Sequence, residues 1–219
     1  MKTRINQSGA RPARTRGQYD GFSVVELMIT VVIVLIVVGF AVPKFMTLIH
    51  NAREQGGVSN FANLLQKCRL LSVQSDDSYG VYFTTSGNAR EAFVDTKKNG
   101  TLDATVDPLI VMDNEVLLVS ASSAPNTSAL QGLFLPSGSG LTVQDGSSSS
   151  SPIVFNSRGL PCTNVTYSSE TLCVSNSSNS TAFWVFFQDN VTNAWEAITV
   201  SPAGRIQKWR AVSGSWEKM

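Results

Sequence analysis

The chain has 219 residues, is 42% hydrophobic and only 15% charged, and carries a formal net charge of +1. Its length fits one globular domain with attachments rather than two full-sized domains. Hydrophobic content near the globular average excludes wholesale disorder, and the near-neutral balance excludes a broadly basic nucleic-acid binder or a strongly acidic protein.

Residues 1–21 hold Lys2, Arg4, Arg11, Arg14 and Arg16 against a single acid, Asp20, and almost no large apolar side chain. They supply five of the 17 Lys and Arg and one of the 16 acids, so the positive sign of the whole chain belongs to this leader and the remainder is mildly acidic. In residues 22–42 every position is apolar except Ser23, Glu26, Thr30 and Gly39. A helix of that length rises about 31 Å, close to the hydrocarbon thickness of a bilayer. Cations before the span and none within it predict a cytoplasmic N-terminus and an exported remainder. The amphipathic spacing of a buried core helix is missing from this run.

Glu26 stands out inside the span. A carboxylate in a membrane helix costs roughly 2.5–3.5 kcal/mol on insertion unless it is partnered. No Lys or Arg lies in residues 22–42 to partner it, but a free α-amino group on Phe22, released by a cut after Gly21, would. Two rival readings are a secretory signal peptide, with Gly39 and Ala41 before the cut, and a plain signal anchor. The apolar run is long for a signal peptide and continues past that cut, and neither rival accounts for Glu26.

Pro43 lacks a backbone donor and crowds the preceding turn, which predicts a kink or local melting. Beyond it Phe61, Leu64, Leu65, Cys68 and Leu71 recur at helical spacing with Gln66, Lys67 and Arg69 between them. That pattern predicts an amphipathic continuation over residues 43–75 whose stripe packs on the following domain, weakened locally by Gly56 and Gly57. His50, the only histidine, is expected at a solvated or interfacial place near the membrane exit.

From Asp76-Asp77 onward the pattern changes to short β-like runs between turn residues, at 79–85, 91–95, 114–120, 132–135, 152–156, 182–188, 195–201 and 205–210. Phe183–Phe187 reads as a buried strand, and Pro202-Ala203-Gly204 as a hairpin turn. The Ser-rich stretches 120–128 and 137–151 read as solvated connectors. The expected fold class is α+β: a long N-terminal helix, transmembrane then amphipathic, packed on an antiparallel β-sheet or two-sheet sandwich formed by residues 76–219.

Cys162 and Cys173 bracket a polar segment, and in an oxidising exterior they are expected to form a disulfide worth roughly 3 kcal/mol. Cys68 lies on the apolar stripe and reads as a small core residue. A single histidine and the lack of a close cysteine pair argue against zinc. Asp95, Asn99 and Asp103 fall at the first, fifth and ninth places of a stretch resembling a calcium loop, with Gly100 sixth and Asp107 a stand-in acid. Lys97 at the third place and Val106 at the twelfth break that pattern, and a polar hairpin turn on Asn99-Gly100 is the preferred reading. Nucleophile-elbow, phosphate-loop and dinucleotide glycine motifs are all missing, so the expectation is a non-enzymatic chain without a cofactor.

The string Gly21-Phe22-Ser23-Val24-Val25-Glu26-Leu27, followed by an apolar stretch and Pro43, resembles the class III signal of type IV pilins and type II secretion pseudopilins. The resemblance implies cleavage between Gly21 and Phe22 by a prepilin peptidase, N-methylation of Phe22, and pairing of Glu26 with the N-terminal ammonium of a neighbouring subunit during assembly. It also implies a helix kink at Pro43, a bacterial inner-membrane location, and an assembly platform and other pilins as partners. Phe155-Asn156-Ser157-Arg158-Gly159 and Gly204-Arg205-Ile206 are similar to strand-turn signatures of H-type pseudopilins and FimT-type minor pilins. Some FimT-type proteins bind DNA through a C-terminal Gly-Arg-x-Arg motif. Here Gln207 replaces the final arginine, and alternation along a strand separates Arg205 from Lys208 and Arg210, so DNA contact is a weaker expectation. The expected function is therefore a minor pilin or pseudopilin, with a DNA-uptake subunit or a plain anchored exterior domain as alternatives. Secretion, adhesion or motility, and DNA uptake stay open as the machine served.

Overall fold

A computed structural model describes residues 22–86, 89–135, 141, 143–147, 152–162, 165–166, 171–173 and 181–219. It is α+β. Helix α1 (Val24–Gln74) leads into strands β1 (Tyr79–Ser86), β2 (Ala89–Asp95), β3 (Leu109–Met112) and β4 (Val116–Val119). Helix α2 (Thr127–Phe134) follows, then β5 (Val143–Asp145), β6 (Ile153–Phe155), β7 (Pro161–Cys162), β8 (Val165–Thr166) and β9 (Thr171–Leu172). The chain closes with β10 (Ala182–Asp189), β11 (Trp195–Val200), β12 (Ile206–Val212) and β13 (Ser215–Lys218). By contact density the chain divides into two units, one ending at Lys44 and one spanning Phe45–Met219.

α1 runs through Pro43 without a break, so the expected local melting does not occur. From Val24 to Val42 the helix is exposed on every side, and this stretch is long and apolar enough to cross a membrane. α1 ends where Asp76 takes a left-handed conformation (φ 50°) and Asp77 N–H donates to the Ser72 carbonyl at 3.1 Å. This is the six-to-one bond of a Schellman motif, with aspartate where glycine is usual.

The second unit holds two main sheets. One is five-stranded and antiparallel, in the order β3-β2-β1-β6-β7. The other runs β13-β12-β11-β10-β4, with β5 sharing the β4 edge of β10. The β5–β10 pairing is parallel, the one departure from the antiparallel expectation among the main-sheet pairs. β8 and β9 form a separate two-stranded ribbon.

The expected stripe on α1 is buried: Phe61, Leu65 and Cys68 are fully covered, together with Val58. Their core includes Val81, Phe83, Ala92 and Val94 of one sheet and Phe183, Val185, Phe187, Ile198 and Val200 of the other. Alternate residues of β10 point the opposite way. Ala182 and Phe186 join Ala197, Trp209, Trp216 and the α2 residues Leu130 and Phe134 in a second core. β10 is thus covered on both faces, which is why residues 182–187 read as one continuous apolar run.

Residues 132–135, expected as a strand, lie in and just after α2. Leu130 and Phe134 are the buried i, i+4 pair of that short helix. Its start is held by distant groups: Asn126 Nδ2 donates to the Gly214 carbonyl at 2.5 Å, and Trp216 Nε1 donates to the Pro125 carbonyl at 3.0 Å. The 137–151 stretch, expected as a connector, contains β5.

Candidate functional site

The N-terminal junction comes first. Gly21 and the leader lie outside the described residues. Phe22 is 82% exposed, and α1 begins two residues later. Leu27 N–H donates to the Ser23 carbonyl at 3.1 Å, so Glu26 falls in the first turn. The amide dipoles there favour a carboxylate. Glu26 makes no ion pair among the described residues, and every large apolar side chain from Val24 to Val42 is at least 46% exposed. Among the described residues, an unpartnered carboxylate thus opens an uncovered apolar helix.

Past Lys44, a row of polar contacts fastens α1 to the strands. His50, expected at a solvated or interfacial place, is mostly covered, with Nδ1 2.6 Å from Oε2 of Glu115, just before β4. Arg53 flanks this pair at 3.8 Å from Glu115 and 3.9 Å from Asp113. One turn on, Gln55, with its amide oxygen facing the guanidinium, accepts from Arg210 at 2.9 and 3.1 Å. Arg210 also donates to Oε1 of Glu196, its cross-strand partner, at 2.9 Å. Glu196 is completely buried. Burial pushes its carboxyl above the ordinary value, and the nearby Arg210 and Lys208 only partly offset that rise. Lys208 Nζ donates to Ser59 Oγ at 3.0 Å.

These contacts change the reading of the basic C-terminal strand. Lys208 and Arg210 do share a face, as alternation requires, but that face is turned to α1 and both cations are engaged there. Arg205 is exposed and sits apart from them, so no clustered cationic strip is assembled from these three.

Arg69 makes the last fastening. Its Nε donates to the Gly159 carbonyl at 3.0 Å. Gly159 (φ 72°) and Gly204 (φ 74°) are both left-handed, and a Cβ on Gly204 would stand 2.4 Å from the Gly159 carbonyl oxygen and 3.2 Å from Arg69 Nε. The two turn motifs noticed in the sequence, one following β6 and one between β11 and β12, therefore meet on one arginine of α1. Only glycine permits that approach.

The loop joining β2 to β3 is closed by its own side chains. Asp95 Oδ2 accepts from Gly100 N–H at 2.6 Å, and Asn99 Oδ1 from Thr101 N–H and Oγ1 at 2.9 Å each. Asp103 Oδ1 accepts from Thr105, and its other oxygen pairs with the Lys97 ammonium. Those contacts, Lys97 foremost, hold the Asp103 carboxyl down at about 2. Asp107 takes Thr96 N–H, Thr96 Oγ1 and Asp103 N–H. Burial alone would raise its carboxyl, but those bonds outweigh it and lower it. Residues 96–108 are thus a long connection pinned by Asp107 rather than a tight Asn-Gly hairpin. Lys97 pairs with Asp103, one of the candidate ligands, and no group of three or more His, Cys, Asp or Glu side chains is arranged for a metal among the described residues.

Cys162 and Cys173 are joined as a disulfide with Cα atoms 5.5 Å apart, and Cys68 is a buried free thiol whose titration burial pushes up. Sequence reasoning singled out Glu26 and the two glycine turns. It missed His50–Glu115, Gln55–Arg210 and Arg69, whose partners lie far along the chain. Comparison with protein-family models, with curated proteins and with solved structures gives no match.

Proposed function

We propose that the chain is a structural subunit of a pilin-like filament, of the H-type pseudopilin or FimT-type minor pilin kind. In this reading a prepilin peptidase cuts between Gly21 and Phe22 and methylates Phe22. The subunit waits in the bacterial inner membrane with its β domain outside, and an assembly platform packs its helix among those of other subunits. The observation that carries the reading is Glu26: a carboxylate in the first turn of an apolar helix that nothing among the described residues covers or neutralises.

Buried in a helix bundle or in lipid, an unmatched carboxylate is costly, and so is an unmatched ammonium. Bringing Glu26 of one subunit to the new N-terminus of the next relieves both. A subunit out of step keeps both charges unmatched, so the pair sets register as well as affinity. The remaining apolar surface of residues 22–42 supplies the packing.

Mass analysis of the N-terminus of protein purified from cells containing a prepilin peptidase tests this reading. A chain starting at methyl-Phe22 is expected. An intact Met1 would make the chain a plain anchored domain, and a start near Val42 a secreted one. A Glu26→Val variant is expected to insert and be processed, yet enter filaments about tenfold less often; incorporation equal to the parent removes the register role.

A further inference from the structure

We propose that the cleft between the two sheets at the β1–β2 hairpin end binds a small hydroxylated carboxylate, of the uronic acid class, with Arg90 as its anchor. This inference is independent of the filament reading. Along the hairpin, Phe83 and Ala92 are opposed and belong to the first core. Thr85 and Arg90 are the next opposed pair on the same face. The inward face therefore turns from apolar to cationic within two residues, before the hairpin ends.

Arg90 is half-buried. Its single hydrogen bond among the described residues goes to the Leu118 carbonyl of β4 at 3.3 Å, and it makes no ion pair there. A guanidinium has five donors in a planar fork suited to a carboxylate, so most of its capacity is unused where solvent is already partly excluded. Glu91, next along β2, points to the opposite face. Asp145, two residues before Ser147, is committed to Ser120 Oγ, Ala121 N–H and Ser147 N–H.

The space in front of Arg90 is a cleft of about 380 Å³ lined by Phe83, Thr84, Thr85, Arg90, Leu118 and Ser147. That volume lies at the small end of ligand sites, enough for a single ring rather than a chain. Its walls offer one cation, the hydroxyls of Thr85 and Ser147, and an apolar floor from Phe83 and Leu118. A ligand that complements them carries one carboxylate and several hydroxyl groups on a compact ring. A phosphate alone would use the cation and the hydroxyls but leave the apolar floor idle.

The test is a titration of the full chain in detergent micelles with D-glucuronate, D-glucose and inorganic phosphate, read by calorimetry. Saturable glucuronate binding is expected, with glucose and phosphate each at least about tenfold weaker. Arg90→Gln should lower glucuronate affinity about tenfold, while Arg205→Gln, an exposed arginine away from the cleft, should leave it unchanged. Should Arg90→Gln fail to fold, Thr85→Val keeps the guanidinium and removes one hydroxyl, with about a threefold loss expected. Absence of saturable glucuronate binding, phosphate or glucose binding as tight as glucuronate, or cleft variants that bind like the parent would each overturn the proposal.

Discussion

Val31, Val32, Ile33 and Val34 in the first half of α1 are 50–57% exposed, whereas Val58, Phe61 and Leu65 in the second half are completely covered. Both halves belong to one unbroken helix and share aliphatic side chains, though the second half is the more polar. They differ in where the apolar residues fall. In the first half these occupy consecutive positions round the whole circumference, so no single face of one domain could cover them. In the second half they keep to one stripe, and the polar residues between them reach outward or to specific partners. Apolar residues of one helix therefore have different surroundings, uncovered among the described residues in the first half and set against the chain's own sheets in the second.

The largest test of this contrast is a matched pair of truncations. Phe61→Ala should cost about 3–5 kcal/mol of stability in the full chain in micelles, because a fully enclosed ring leaves a cavity among Phe83 and Phe187. Val32→Ala should change stability by less than about 0.5 kcal/mol. Denaturant midpoints for the two variants check this, and equal losses would break the contrast.

A smaller effect is expected at the far end of the second half. Gly204→Ala forces a side chain into a left-handed position against the Gly159 carbonyl and Arg69, at a cost of about 1–3 kcal/mol. The same measurement reads it, and a neutral result would mean that the two turns are not held together by Arg69.

The smallest is a change in pH dependence. The Glu196 carboxyl is raised in the folded state, so its contribution to stability is fully present below the ordinary value of 4.5 and is lost as pH rises through the folded value. Glu196→Gln keeps an acceptor for Arg210 and removes the titration. Its stability relative to the parent should therefore be more favourable at pH 7 than at pH 4. Parallel pH profiles for the two proteins would show that burial does not perturb this carboxyl.

How much of this was legible in the sequence depended on the range of the interaction concerned. The α1 stripe, β10 and the 202–204 turn follow from neighbours within a few residues, and those readings located them. α2 has no side-chain cap from Asn126 and is held by Gly214 and Trp216, so its short apolar run looked like a strand. β3 and β13 are four-residue edge strands, and β5 lies in a Ser-rich stretch and depends on parallel pairing with β10. Glu26 was visible as a local anomaly, a charge where none belongs. Arg69 was not, because a lone cation on an amphipathic helix is ordinary until two turns from distant segments close on it.

The sequence separations of these fastenings also set an order of events. Helix α1 leaves the ribosome first, but His50 waits for Glu115, Arg69 for Gly159 and Ser59 for Lys208, separations of 65, 90 and 149 residues. Contacts that distant form slowly, since each closes a long loop before any neighbouring contact rewards it. Until β10, β11 and β12 have been made, Phe61, Leu64, Leu65 and Cys68 lack the second of the two sheets that cover them. The newborn chain therefore spends much of its synthesis with the α1 stripe only partly covered. That stripe is open to aggregation for an interval that ends when the last strands arrive.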